Sequence, residues 1–516
     1  MAGNYWRIAS VAAGILVAGA GWAYGDTRLA DAVKAGDRAT ALALLGQRAD
    51  VNGAEVDGTT ALHWAVRADD VDLTRRLLRA GARVKAANRY GITALALAAE
   101  NGNPAMLEAL LQAGADPNTV LPGGDTVLMA SARAGRADAL KVLLARGAAN
   151  VDAREGWLGE TALMWAAAED HGPVVRMLIE AGADINARSN PTPFPRVSPP
   201  TENLITMTFA RGGFTPIMYA ARQGASKAVQ ALADAGASLN STTPDGLTAL
   251  TLAIINAHYD TAAVLLEKGA DPNVADASGM TALYAAVDMH TLPWMQGRPA
   301  PKTQSRLGPL DIVKLALARG ANPNARLKTP LLQRQHTAGD RMLGEGATPL
   351  MRAARFGDLA AMRLLLENGA NAGLMQKGGT NVLMLAAAVG SDRVQDEAQY
   401  FQAGGSEAEA IEAIKLCLDK GLDVRAFNET GETALHQAVG PEIMRFLVER
   451  GADLQARNKR GQRPLEVAQG RKTREGDPYR PGNVALLQTL MGVPQTAPSA
   501  SVPAGSPAAK ETVSRP

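Results

Sequence analysis

The side chains best equipped for chemistry are thinly spread along this 516-residue chain. Its histidines, His63, His171, His258, His290, His336 and His436, lie far apart, and none sits in the H-E-x-x-H spacing that puts two imidazoles on one helix face. A metal site would have to be assembled from separate loops, so neither a metal nor a cofactor is expected. There is no G-x-x-x-x-G-K-S/T phosphate loop, no C-x-x-C pair and no G-x-S-x-G nucleophile elbow. Gly19, Gly21 and Gly25 imitate part of a nucleotide-binding loop, but no strand precedes them. The single cysteine, Cys417, lies in IKLCLDKG, without the cationic neighbours that activate a thiol, so a buried small hydrophobe is expected. Aspartates recur in GADPN and GADIN, where a short carboxylate serves to turn its own loop. These features predict a chain that is not an enzyme.

The elements that hold these residues come from repetition. Residues 161–186, TALMWAAAEDHGPVVRMLIEAGADIN, begin with a hydroxyl residue suited to a helix N-cap, followed by a short run rich in Ala and Leu. Pro173 can open a second helix at no hydrogen-bonding cost, and Gly182 is placed for a left-handed C-cap. A helix pair this short, apolar on more than one side, can bury itself only against copies of itself. Near-copies begin at Thr60, Thr93, Thr126, Thr161, Thr215, Thr248, Thr281, Thr348, Asn381, Thr433 and Arg463, mostly 33 residues apart. Second-helix endings such as LLQAGADPN, LLEKGADPN and LVERGADLQ keep step with them. Residues 27–52 read as a degenerate first unit, which makes about twelve.

This period and the T-x-L-H-like opening of helix one resemble the ankyrin repeat family, over roughly residues 27–491. The resemblance implies an all-α solenoid of stacked helix-turn-helix units with β-hairpin-like finger loops, here over residues 26–491. It also implies that His63 and His436 hydrogen-bond neighbouring loops, and that a protein partner is bound through the concave surface and fingers. Four longer intervals read as insertions at 187–210, 290–307, 326–345 and 391–409, the first and third in fingers, the others between paired helices. They carry Phe194, Ile205, Phe209, Trp294, Leu332, Tyr400 and Phe401, large apolar residues that are costly in water. Packing on the array and contact with a partner are both open readings for them.

Residues 1–25 combine Arg7, an uncharged small-residue run from Ile8 and the ending Ala23-Tyr24-Gly25, the pattern of a signal peptide cleaved after Gly25. The alternative is an uncleaved inner-membrane anchor facing the periplasm, since Ile8–Gly25 is barely long enough to span. Export to the periplasm, or secretion, is therefore expected, with no membrane span after cleavage. Residues 492–516, rich in Pro, Ala and Ser, read as a disordered tail. Lys plus Arg number 53 against 51 Asp plus Glu, a balance that excludes a broad phosphate-binding surface and hence a nucleic-acid partner. The Ala and Arg bias suggests a bacterial source.

Within the repeats, variable residues before the helix-one Thr and at the end of helix one are the candidate partner-binding set. The fingers supply Tyr90, Ile92, Trp157, Leu158, Phe214, Leu247 and Met280. Helix-one ends supply Arg67, Arg133, Arg222, Arg355 and Phe356. Aromatic and arginine side chains are the types enriched at binding hot spots. Trp64, Trp165 and Tyr219, inside helix one, are expected to pack between repeats, and Phe214 and Trp157 can equally fold over their own neighbours. The leading expectation is a non-enzymatic envelope scaffold. Alternatives are a secreted effector, a scaffold joining two proteins, and an enzyme whose site is built by the insertions at 187–210 and 326–345.

Overall fold

The computed structural model describes residues 26–147, 150–193, 210–291, 303–329, 342–389, 405–470 and 480–492. The signal segment, the large apolar residues of the insertions, His336 and nearly all of the C-terminal tail lie outside these residues. What is described is an all-helical repeat array, and it packs as two compact units.

The first unit runs to Ala166 and includes Met177–Ala183. It contains the pairs α1 (Arg28–Lys34) with α2 (Arg38–Gly46), α3 (Ala61–Arg67) with α4 (Val71–Arg79), α5 (Ala94–Asn101) with α6 (Pro104–Gln112), and α7 (Val127–Arg133) with α8 (Ala137–Ala145). The division falls within α9 (Ala162–Ala168) and α10 (Gly172–Glu180). The second unit holds α11 (Pro216–Gln223) with α12 (Ser226–Asp234), α13 (Ala249–Ile255) with α14 (Tyr259–Glu267), and α15 (Ala282–His290) with α16 (Pro309–Ala318). It continues through α17 (Pro349–Arg355) with α18 (Leu359–Glu367), α19 (Val382–Ala387) with α20 (Glu407–Asp419), α21 (Ala434–Gln437) with α22 (Pro441–Glu449), and α23 (Pro464–Gly470) with α24 (Arg480–Leu490).

Within each unit, first helices pack on first helices, α1 on α3 and α3 on α5 in one, α11 on α13 and α13 on α15 in the other, and second helices do likewise, as α4 on α6 and α12 on α14. Alanine makes that approach possible. Ala61, Ala65, Ala94 and Ala98 are completely buried, and their small side chains let seven- or eight-residue helices press together where leucine would hold them apart. Helix starts follow from local chemistry: the hydroxyls of Thr93, Thr126, Thr248, Thr281 and Thr348 each accept a hydrogen bond from the backbone N–H three residues on.

The turns are tied in two ways. In each GADxN turn the aspartate closes its own loop: Asp116 Oδ1 accepts from Asn118 N at 2.9 Å and Asp271 Oδ1 from Asn273 N at 2.8 Å. The asparagine then reaches onward. Asn273 Nδ2 donates to Gly320 O at 2.9 Å, and its Oδ1 accepts from Asn322 N at 2.7 Å; Asn324 repeats the arrangement with Gly369 O and Asn371 N. The Asp–Asn pair thus satisfies helix-end carbonyls that would otherwise be orphaned.

Two segments differ from the expected boundaries. Helix α15 continues through His290, and α20 already begins at Glu407, where Ser406 and Glu409 form a capping box. Both stretches lie inside segments read from sequence as extra turn. At the base of the 187–210 segment, Thr192–Pro193 pairs antiparallel with Ala210–Arg211, a two-residue ribbon absent from the other fingers described.

Candidate functional site

The fingers are held by their own backbone and by their neighbours. Asn88 N donates to Ile92 O at 3.0 Å within one finger, and Arg89 N donates to Asp57 O of the preceding finger at 2.7 Å. Gly124 sits at such a crossing with φ +85°, where a Cβ would stand 2.6 Å from Gly156 N, so only glycine fits. His63 locks helix one to the fingers: its Nδ1 faces Thr60 N at 3.2 Å and the Thr60 hydroxyl at 2.9 Å, while Nε2 lies 3.1 Å from Ile92 O. Burial holds its pKa below the ordinary value, so the ring is neutral. His436 repeats the geometry with Thr433 and Gln462 O. Both histidines are structural.

In the first unit the finger tips present apolar side chains to water. Trp157 is 84% exposed, Val56 77% and Tyr90 56%, with Leu158 beside Trp157; Val120, at the base of its finger opposite Thr126, is 60% exposed. The Trp157 finger is shaped from inside by Glu155, whose buried carboxylate accepts from Trp157 N and Leu158 N at 2.6 Å each and from Glu160 N at 3.0 Å. Three charge-assisted bonds to one carboxylate fix the loop that displays the indole.

Behind the tips lie two tryptophan stations. Trp64 Nε1 donates to Glu55 at 3.0 Å, and Lys34 Nζ and the Arg67 guanidinium stand 4.9 and 5.6 Å from its ring centroid. Trp165 Nε1 donates to Glu160 at 2.7 Å, and the Arg133 guanidinium is 5.0 Å from its centroid. Beside Trp165 opens a hollow of about 430 Å³ with apolar walls from Ile92, Leu97 and Leu121, and with Glu100, Asp125 and Arg133 at its polar side. Desolvation pushes the Asp125 carboxyl up; Arg133 opposes that rise, while Glu155 and Glu160 add to it.

The expected site residues therefore divide. In the first unit Arg67, Tyr90, Trp157 and Leu158 are exposed and Ile92 and Arg133 half-buried, with Ile92 and Arg133 meeting at the hollow. In the second unit Phe214, Arg222, Leu247 and Met280 are half-buried. Phe214 packs edge-on against Tyr219 at 5.5 Å, with the Arg222 guanidinium 5.2 Å from its ring. Arg355 and Phe356 are corrected by the structure, since they are 0% and 3% exposed and present no surface to a partner. Arg355 donates to Ala388 O at 2.7 Å, and the Phe356 ring lies under the Arg352 guanidinium at 3.6 Å. Trp64 and Trp165, expected to be packing residues, are instead half-buried centres of charge clusters; Tyr219 is buried as expected. A signal existed for Trp165: the glutamates before it in GWLGE and EGW are spaced to fold back on one finger.

No group of three or more His, Cys, Asp or Glu side chains that could hold a metal stands among the described residues. His290, at the end of α15, pairs with Asp358 at 2.7 Å. Cys417 is buried, and burial pushes its thiol up to about 12, so it is unreactive at neutral pH. Among the described residues no helix is long and apolar enough to cross a membrane.

Stacked helix pairs with hairpin fingers define a repeat scaffold. The chain belongs to the ankyrin repeat family: a three-copy ankyrin model matches residues 29–120, 119–189, 217–293 and 304–395, and a single-repeat model matches 430–459. This family is generally non-enzymatic and typically mediates protein–protein interaction. The mouse B-cell lymphoma 3 protein homolog is 33% identical over 245 residues, 46% of this chain and 42% of that protein, so the chain matches less than half of that relative's length. Among solved structures, the human ASB11 ankyrin repeat domain is 25% identical, covers 46% of this chain and 96% of that one, and has a TM-score of 0.39. The ankyrin repeat domain of Bcl-3, described as a member of the IkappaB protein family, is also 25% identical, over 44% and 94%, with a TM-score of 0.36.

Proposed function

We propose that the chain is a non-enzymatic docking scaffold of the bacterial envelope that captures a protein partner on the finger side of its first unit. The observation that carries this reading is the set of exposed finger side chains, Val56, Tyr90, Trp157 and Leu158 at the tips and Val120 at a base. Large apolar side chains held in water by a rigid loop are costly unless a partner covers them. The loops are preformed, so docking loses little conformational entropy. The signal-like residues 1–25 support export, with the periplasm as the site of action and a retained inner-membrane anchor as the variant form.

Crosslinked capture from the native cell tests the reading, with the protein tagged at its C-terminus and Tyr90→Ala, Trp157→Ala, Leu158→Ala combined as the control. One discrete envelope protein should be retained by the wild type and lost by the variant, while thermal unfolding stays the same. Equal capture by a folded variant would sink the finger-tip assignment, and recovery of the protein from the medium would favour an effector acting outside the cell.

A further inference from the structure

The two tryptophan stations of the first unit are built on one plan, and one of them is incomplete. At Trp64 the helix-one end of the preceding repeat supplies Lys34, and its own helix supplies Arg67, three residues on and one turn away. Two cations therefore lie over one indole whose N–H is held by Glu55. At Trp165 the preceding repeat again supplies a cation, Arg133, and the N–H is again held by a glutamate, Glu160. Three residues on along α9, however, the chain carries Ala168 in place of the equivalent of Arg67. Trp64 carries two of the protein's own cations, one of them, Lys34, also paired with Glu55, and Trp165 carries one.

The charge balance around the hollow leans the same way. Arg133 is 3.7 Å from Glu100, so its charge is shared with that carboxylate. Glu160 is engaged by the indole N–H. Asp125, half-buried at the hollow's edge, makes no ion pair among the described residues. A desolvated carboxylate with two further carboxylates nearby is relieved most by an added cation. The apolar walls from Ile92, Leu97 and Leu121 suit the methylene stem that carries such a cation in a protein side chain.

Resting on the docking role assigned to this unit, we propose that the hollow beside Trp165 receives an arginine or lysine side chain of the partner protein, its stem along Ile92, Leu97 and Leu121 and its head facing Trp165 and Asp125. The partner's cation completes the station as Arg67 completes Trp64. A basic anchor flanked by apolar residues is thus the recognition element; an acidic residue at that point is repelled by Asp125 and Glu100, and a neutral polar one lacks the charge they favour.

The test uses the full chain labelled with 5-fluorotryptophan, with the Trp165 and Trp64 resonances assigned from Trp165→Phe and Trp64→Phe. The probes are acetyl-Leu-Arg-Leu-amide, its Lys counterpart, and the Gln and Glu counterparts as controls. The Trp165 resonance should move saturably with the Arg or Lys peptide at a concentration about tenfold lower than with Gln, with no response to Glu, while Trp64 stays in place. Asp125→Asn should weaken the response about fivefold or more, and Ala168→Arg, which supplies the missing cation in cis, should abolish it. The second variant leaves the hollow's own residues intact and serves if Asp125→Asn fails to fold. Equal movement with Arg and Gln peptides, equal movement of Trp64, or an undiminished response in a folded Ala168→Arg protein would overturn the proposal. Partner capture that is lost on the finger-tip variant but untouched by Asp125→Asn and Ala168→Arg would leave the docking role standing and overturn this assignment alone.

Discussion

Arg133 and Arg355 occupy the same place in their repeats, each at the end of helix one seven residues after its N-cap Thr, yet the two regions use them in opposite ways. In the first unit Arg133 is half-buried, lies over Trp165 and shares its charge with exposed Glu100. In the second unit Arg355 is completely buried and donates to Ala388 O, next to Arg352, which is itself 2% exposed. Arg352 is surrounded by the end of α15: Asp288 Oδ1 accepts from its Nε at 2.6 Å, and Thr291 Oγ1 and O accept at 3.0 and 3.2 Å. Asp288 stands at the ordinary end of helix one, seven residues after Thr281, whereas Thr291 follows the two residues by which the nine-residue α15 exceeds the seven of α13 and α17. A repeat position specifies where a side chain starts; its neighbours decide whether it meets water or protein.

Arg352→Ala removes a buried guanidinium and leaves the half-buried carboxylate of Asp288 and the acceptors of Thr291 without their donor, and should cost roughly 3 kcal/mol of stability, read as a lower denaturation midpoint. Arg352→Ala combined with Asp288→Ala should recover part of that loss, because the uncompensated charge is gone. A double variant as unstable as the sum of the single ones would show that the pair is not coupled. Arg133→Ala, the matching change at the open site, should alter stability by no more than about 0.5 kcal/mol, since an exposed ion pair contributes little.

A smaller contrast comes from Glu155 and from acid. Glu155→Gln keeps the shape of the side chain but halves its accepting capacity, so the Trp157 finger should loosen by about 1–2 kcal/mol in local opening, seen as faster hydrogen exchange at Trp157, Leu158 and Glu160. The expected outcome is confined to that finger. For His63, the folded pKa lies below the ordinary 6.5, so the unfolded chain binds the proton first. Its contribution is fully present above that ordinary value and declines as pH falls through it toward the folded pKa. Acid should therefore loosen the first unit near His63, and His63→Gln should flatten this part of the pH dependence. An unchanged pH profile in that variant would show that the loss originates elsewhere.

The fold was legible because its determinants are local. The Thr N-caps, the Pro and Gly boundaries and the alanine-rich helix-one face each act over three or four residues, and twelve helix pairs appear among the described residues, as the repeated signatures predict. His63 and His436 were legible for the same reason, since Thr60 and Thr433 stand three residues before them. The candidate site was legible only in its exposed part. Tyr90, Trp157 and Leu158 lie on finger tips whose position follows from the turn itself. Arg355 and Phe356 were misplaced because their partners are tertiary: Arg355 donates to the Ala388 carbonyl, more than thirty residues on, and Phe356 lies under Arg352, which the end of α15 holds.

By itself the sequence determined the repeat, its period, the helix pairs and the absence of the common catalytic motifs, since all of these are properties of short segments and their recurrence. Only the tertiary structure decided which arginines face water, that Trp165 borders a hollow, and that Asp125 stands there without an ion pair among the described residues. Burial and electrostatic environment belong to the neighbours of a residue in space, and in a stacked array those neighbours come from adjacent repeats about 33 residues away, beyond the reach of any local pattern.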